Sequence, residues 1–247
     1  MRVTRIHVPG AIEVGADIAL PRQAGEHLTR VLRLAPGAAL TLFNGAGGEF
    51  AASLGAPRGK QEFARVLRHD AVERESPLAI TLLQGVARGE RMDLIVQKAT
   101  ELGVARIVPV LTERSVVKVD AKMRDRKREH WQAIAVSACE QCGRNRVPQV
   151  SDPLALGDAL RSLTSDSLRC LLAADGGEAL TAFAARPGTA SVFLLIGPEG
   201  GFDEAERAKL LAQPFVTAIS LGPRILRADT AAVAALALVN AVLGDWR

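Results

Sequence analysis

The stretch from Leu194 to Glu206, "LLIGPEGGFDEAE", joins an apolar run to a glycine-rich turn and then to a cluster of acids. Turns of this composition at the start of a helix often cradle phosphates. A phosphate-binding P-loop needs Lys and Ser or Thr directly after its glycines, and neither is present. The G-x-G-x-x-G spacing of a dinucleotide site is missing too, and Glu199 in the turn would repel a diphosphate. The turn instead suits a neutral or cationic ligand held by main-chain groups. A purine ring pairs with backbone N–H and C=O, and a sulfonium tolerates nearby carboxylates. S-adenosyl-L-methionine has both features.

Two further loops carry the same kind of chemistry: "AADGGE" after Leu172 and "LGPRILRADT" after Ser220. If all three follow parallel strands, they converge at one sheet edge, where α/β folds bind ligands. The expected cofactor contacts are then Leu172 and Ala173 in the first loop. Ile196, Gly197, Pro198, Gly200 and Gly201 follow in the second, and Ser220, Leu221, Gly222, Ile225 and Leu226 in the third.

The elements that must position these loops are legible in the hydrophobic pattern. "LAITLLQG", "ARIVPVL", "LRCLLAA", "ASVFLLIG" and "FVTAISLG" are compact apolar strands of the kind buried on both faces of a parallel sheet. Helical stretches alternate with them: "ERMDLIVQKATELG", stopped by Gly103, and "DAKMRDRKREHWQAIAVSACEQCG". In the latter, Trp131, Ile134, Ala138 and Cys142 recur at helical spacing and form the expected buried stripe. Asp229 reads as the N-terminal cap of a last helix, Thr230 to Leu243, which is apolar nearly all round. A helix of that kind belongs to a core, to a subunit interface, or to both.

The first seventy residues have a different character. Short strands "TRIHVP", "AALTLFNG", "GEFAASLG" and "EFARVLRH" surround one helix, "RQAGEHLTRVLRL", and suggest a small β-barrel. That helix sets Leu28, Val31, Leu32 and Leu34 on an apolar face and His27, Arg30 and Arg33 on the other. "DAVERESP" follows as a charged linker, dividing the chain into residues 1–72 and 73–247.

Charge placement points to a polyanion. The net charge is +4, and the segment Glu113–Arg146 alone holds nine Lys/Arg against five acids, a surplus of four. A localised basic stretch on an otherwise neutral chain suits RNA. With no Tyr and seven Phe, recognition by shape and phosphate contact is expected rather than by an aromatic stacking platform. The three cysteines include Cys139-Glu-Gln-Cys142, but no second Cys or His pair accompanies it, so neither a metal nor a disulfide is expected. The apolar run Ala231–Leu243 is too short to span a bilayer, and "MRVTRIHVPG" has no signal-peptide core. A cytoplasmic protein is expected.

Six segments in order, "HLTRVLRL", "QKATELGV", "ERSVVK", "EQCGRNRVP", "LLIGPEGGFDEAE" and "SLGPRILRADTA", resemble the ribosomal RNA small subunit methyltransferase E family of the SPOUT class. The resemblance runs from Arg5 to the last helix. It implies an N-terminal PUA-like barrel and a C-terminal α/β domain with a trefoil knot. It implies S-adenosyl-L-methionine bound in that knot, a homodimer packed through the C-terminal helix, and methylation of N3 of a uridine in 16S rRNA of the small ribosomal subunit. Where the family usually has Thr-Glu-Thr after "ILR", this chain has Ala228-Asp229-Thr230. A non-catalytic rRNA assembly factor, or a methyltransferase for another RNA nucleotide, stays open beside this reading.

Within that reading Arg227 is the expected stabiliser of charge on the deprotonated uracil, unless it forms a salt bridge with Glu199 or Asp229. Glu101 and Glu199 are the candidate proton acceptors. Glu101 can also pair with Arg106 or Arg114, and Glu199 can also brace its own loop. Arg5, His27, Arg30, Arg33, Arg114 and Arg144 are the expected RNA contacts.

Overall fold

The computed structural model describes residues 3–115, 121–161, 168–173, 176–185, 191–214 and 216–246. Residues 116–120 of the basic stretch and "ERSVVK", 174–175 of "AADGGE" and 215 lie outside them. The chain divides into two compact units. One comprises Met1–Glu75 with Cys139–Val147, and the other Ser76–Ala138 with Pro148–Arg247.

The first unit is built on β1 (Thr4–His7), β2 (Asp17–Ala19), β3 (Ala39–Phe43), β4 (Glu49–Leu54) and β5 (Phe63–Asp70). They form one sheet in the order β1-β3-β4-β5-β2, with β1 parallel to β3 and the other pairs antiparallel. Alternation explains its one-sided core: in β4 Phe50, Ala52 and Leu54 are buried and their neighbours are not. Strand β2 escapes the sequence pattern because it is three residues long and carries one partly buried side chain. Among the described residues no ladder joins β2 to β1. The barrel-like wrap comes from a core that unites Ile6, Leu20, Leu28, Leu42 and Val66.

The expected helix of this unit departs from its pattern. Residues Arg22–Glu26 form α1, but His27–Val31 form a π-turn. The Leu32 N–H bonds to the His27 carbonyl at 3.0 Å, and the Leu34 N–H reaches back to Leu28 at 3.0 Å. The wider turn keeps Leu28 in the core and swings Val31 and Leu32 outward, leaving them 65% and 42% exposed. The burial given up is of the order of about 1–2 kcal/mol for each side chain. Arg33 closes the turn with φ of 53°, the only non-glycine residue with positive φ among those described.

"DAVERESP" is not a free linker. Arg74 binds Glu49 at 2.9 Å, Glu73 binds Arg146 at 2.8 Å, Glu75 grips Arg144, and the Val72 carbonyl accepts from Asn145 at 2.7 Å.

The second unit contains an all-parallel sheet. Its strands are β6 (Ala79–Gly85), β7 (Arg106–Leu111), β8 (Gln149–Val150), β9 (Leu154–Ala155), β10 (Leu168–Leu172), β11 (Glu178–Ala179), β12 (Ser191–Ile196) and β13 (Val216–Ser220). The order is β11-β13-β10-β12-β6-β7-β8, with β9 also on β7. The central strands are buried almost throughout, as Val192–Ile196 shows. The helices are α2 (Glu90–Glu101), α3 (Ala121–Cys142), α4 (Leu156–Arg161), α5 (Glu204–Leu211) and α6 (Ala228–Val242). Helix α3 begins in this unit, and its last four residues belong to the first. Its buried stripe is Trp131, Ala135, Ala138 and Cys139, with Ile134 and Cys142 only partly covered. Helix α6 packs on α2 and β12. Its one interior polar residue, Asn240, donates to the Leu102 carbonyl at 2.8 Å and so satisfies the end of α2. Among the described residues no helix is long and apolar enough to cross a membrane, and no His, Cys, Asp or Glu cluster could hold a metal.

Candidate active site

The C-terminal ends of β10, β12 and β13 open on a cavity of about 480 Å³. After β12, the Gly201 N–H closes a tight turn on the Pro198 carbonyl at 2.8 Å, with Gly201 at φ +68°. Residue 201 must therefore tolerate the left-handed region, which glycine does without strain. The turn is pressed against the end of β6: a Cβ on Gly85 would lie 2.5 Å from the Pro198 nitrogen. Beside it the buried Gln84 amide donates to the Gly197 carbonyl at 3.2 Å.

The acids of this turn have separate tasks. Glu199 Oε1 accepts the Arg88 N–H at 3.0 Å and pairs with Arg91 Nη1 at 3.0 Å. Burial works to raise the pKa of Glu199. The Arg88 N–H, its own N–H and Arg91 outweigh that and hold the carboxyl below its usual range. Asp203 and Glu206 form a capping box on α5. Asp203 accepts the Glu206 N–H at 2.6 Å, and Glu206 accepts the Asp203 N–H at 3.0 Å. Glu206 Oε1 also takes the Glu113 N–H at 2.9 Å, fixing the loop after β7. Glu204 is exposed and forms no ion pair among the described residues. Glu199, Asp203 and Glu206 thus hold the turn and the loops beside it, as the bracing alternative for Glu199 expects.

The cavity lining is electrically balanced: Arg114, Arg207 and Arg224 stand with Glu199, Asp203 and Glu204. Such a lining fits a ligand that carries charges of both signs, as S-adenosyl-L-methionine does with its carboxylate, ammonium and sulfonium. Apart from Ser220, every residue expected to contact the cofactor lines the cavity. Ser220 instead bonds within the β13 turn, its Oγ accepting the Gly222 N–H at 3.2 Å. Ile225 lines the same space and is 86% exposed.

The remaining candidates scatter. Arg227 is exposed, immediately before α6, between the lining residues Leu226 and Ala228. It forms no ion pair among the described residues, so neither of the suspected salt bridges, to Glu199 or Asp229, exists there. It also holds the N-cap position expected for Asp229. Asp229 is the second residue of the helix, in its first turn, and accepts the Thr230 N–H at 2.9 Å. Glu101 is not at the cavity. It lies at the far end of α2 from Arg91, about 15 Å along the axis, paired with Lys98 at 2.9 Å rather than with Arg106 or Arg114. Arg114 is at the cavity, its guanidinium donating to the Gly200 carbonyl at 2.9 Å.

Two expected RNA contacts are turned inward instead. Arg144 is 5% exposed and doubly bonded to Glu75. Arg5 is buried against Glu49 at 2.6 Å and Asn145 at 2.6 Å, with Phe43 under its guanidinium. A buried guanidinium needs a counter-charge, and both have found one inside the protein. His27, Arg30 and Arg33 are exposed, as their spacing predicts.

Comparison with known proteins agrees with this geometry. The family described as RNA methyltransferase domain matches residues 74–240, and the RNA methyltransferase PUA domain matches residues 20–67. Ribosomal RNA small subunit methyltransferase E of Bacillus subtilis (strain 168) is 33% identical over 237 residues, covering 93% of this chain and 91% of that protein. A methyltransferase from Legionella pneumophila, solved with the bound cofactor SAM, superposes with a TM-score of 0.92 at 41% identity, covering 99% of this chain and 100% of that one. Ribosomal RNA small subunit methyltransferase E of Neisseria gonorrhoeae, bound to S-adenosyl methionine, gives 0.91 at 34% identity over 100% of both chains. The α/β unit is thus a SPOUT-type methyltransferase domain accompanied by a PUA-like domain. The chain belongs to the ribosomal RNA small subunit methyltransferase E family.

Proposed function

We propose that this S-adenosylmethionine-dependent ribosomal RNA methyltransferase modifies N3 of a uridine in 16S rRNA. The observation that carries the reading is the balanced cavity between the turns after β12 and β13, lined by the glycines and apolar residues named for cofactor contact. When bound, S-adenosyl-L-methionine supplies an electrophilic methyl group on a sulfonium. The chain's own task is then to hold donor and acceptor in line. Main-chain groups of Gly197–Gly201 and Leu221–Gly222 shape the pocket. Arg227, exposed and without an ion pair among the described residues, is the cation we assign to the uracil oxygens as N3 loses its proton. Glu199 holds the loop, because its Oε1 is already engaged by two donors.

We assign cofactor binding to the second unit and RNA binding to the first, where His27, Arg30 and Arg33 are exposed. We further propose a homodimer through α6, supported by the outward Leu238 and, just beyond the helix, Trp246. Action on ribosomal RNA implies a cytoplasmic setting. The fold that ties the two cavity turns together is read as the trefoil knot of the family. The return of the chain from β13, beyond β10, to α6 packed on β12 and α2 supports it.

The test is incubation with methyl-labelled S-adenosyl-L-methionine and either naked 16S rRNA or 30S subunits, followed by nucleoside mapping. Label on the uracil base is expected. Label on a cytidine or a ribose overturns the N3 assignment, and no label in either RNA overturns the function.

A further inference from the structure

The π-turn at His27–Val31 keeps Leu28 in the core but leaves its two apolar neighbours in solvent. A regular α-helix would have buried Leu28, Val31 and Leu32 along one face. The wide turn exposes two of the three, and the chain recovers only through Arg33 in a conformation that side chains disfavour. Among the described residues Val31 is the most exposed large apolar side chain of this unit, and Leu32 is its immediate neighbour.

What surrounds the pair identifies the partner. The side chains of His27 and Arg33 make no hydrogen bond or ion pair among the described residues. Arg30 has only Glu26, at 4.0 Å. Glu140 interacts electrostatically with His27 and accepts the His7 N–H at 2.9 Å. Leu67, the other exposed apolar side chain set among cations, differs in this respect. Its neighbour Arg68 is bound by Asp70 at 2.9 Å, and Arg65 lies 3.4 Å from Asp17. Arg33, without an ion pair among the described residues, and Arg30, held only by Glu26 at 4.0 Å, therefore flank Val31 and Leu32. Uncommitted positive charge around a small apolar step matches a polyanion whose bases can be splayed out, which is RNA in its single-stranded regions. The aromatic alternative is closed: Phe43 and Phe50 are buried, and Arg58 covers Phe63 at 4.5 Å.

We propose that the π-turn enters the RNA, with Val31 and Leu32 packing on the base of an unpaired nucleotide while Arg30 and Arg33 hold its flanking phosphates. This rests on the RNA-binding role given to the first unit, and it adds a base contact to what would otherwise be recognition of phosphate and shape alone. An aliphatic pair offers the base an apolar face without reading its edge. The contact therefore fixes the position of the strand and leaves the identity of the nucleotide to the site of methylation.

Binding to naked 16S rRNA, measured over a range of salt concentrations, tests the proposal. The double substitution Val31→Ser/Leu32→Ser is expected to weaken binding about tenfold with an unchanged salt slope, as loss of one base contact would. Arg30→Gln is expected to lower the slope by about one, as loss of a phosphate contact would. Cofactor affinity and the thermal midpoint stay at wild-type values in both. Should the double substitution lower the midpoint, Val31→Ser alone decides in the same assay. Unchanged RNA affinity in the double variant overturns the proposal, and so does an effect on 30S subunits that naked rRNA does not reproduce, which would mark a protein contact. Wild-type protein that binds no rRNA would instead refute the functional reading beneath it.

Discussion

Arg91, in the first turn of α2, lies 3.0 Å from Glu199 in the glycine turn, and the Arg88 N–H bonds to the same carboxylate oxygen. This contact ties the loop after β6 to the loop after β12. Arg91→Ala is expected to weaken S-adenosyl-L-methionine binding about fivefold by loosening the turn, a uniform binding loss that leaves kcat nearly intact. Glu199→Gln keeps an oxygen for Arg88 and loses less. Titration calorimetry with single-turnover rates separates this from a proton-accepting Glu199, for which Gln would abolish turnover at unchanged affinity.

Arg227 and Glu101 should respond in opposite ways. Arg227→Ala removes an exposed, unpaired cation beside the cavity. It is expected to lower kcat about 100-fold or more while leaving cofactor affinity within about twofold. Glu101→Gln, at the other end of α2 and bonded to Lys98, is expected to leave kcat unchanged. A large loss at Glu101 would return it to the mechanism.

Arg144 gives a stability prediction where an RNA effect would be expected from sequence. Its truncation to Ala leaves Glu75 without its counter-ion in a largely buried site. Breaking such a pair costs about 3 kcal/mol, readable as a lower urea midpoint. The salt slope of RNA binding should not change, because no phosphate contact is lost.

Glu49 sets a pH dependence. Hydrogen bonds from Arg74, then from Arg5, overcome burial and hold its pKa down from the ordinary 4.5 to about 2. A carboxyl depressed on folding stabilises the protein above its unfolded pKa. That contribution is lost as pH falls from 4.5 through about 2. Acid titration of stability should therefore show a steep limb in this window, and Glu49→Gln should flatten it while lowering stability at neutral pH.

These predictions also mark where the sequence is informative. The strands of the parallel sheet are local, continuous apolar runs, and the turns after β12 and β13 carry their own glycine signals, so the cavity could be assembled from pattern alone. Arg5 and Arg144 could not be placed, because their partners Glu49, Glu75 and Asn145 lie far away along the chain. A basic residue reads the same whether its counter-charge is a phosphate or a distant Glu. The π-turn was hidden for another reason. Leu28, Val31 and Leu32 have good α-helical spacing, and nothing local announces that one turn will be wider. The stripe of α3 differs from its pattern at two members for a similar cause: packing buries Ala135 rather than Ile134 and Cys139 rather than Cys142, all of them apolar.

The first unit owes its closure to residues that the ribosome delivers late. Arg144 and Asn145, which neutralise or satisfy Glu75, Arg5 and the Val72 carbonyl, are made some seventy residues after Glu75. At roughly 5–20 residues per second, that is a wait of several seconds during which the emerged N-terminal strands lack these partners. The segment that comes first in translation is therefore not the first to be finished. Expressed alone, residues 1–75 would lack the partners of Glu75, Arg5 and the Val72 carbonyl, and should behave as a collapsed, uncooperative chain until a peptide containing residues 139–147 is supplied in trans.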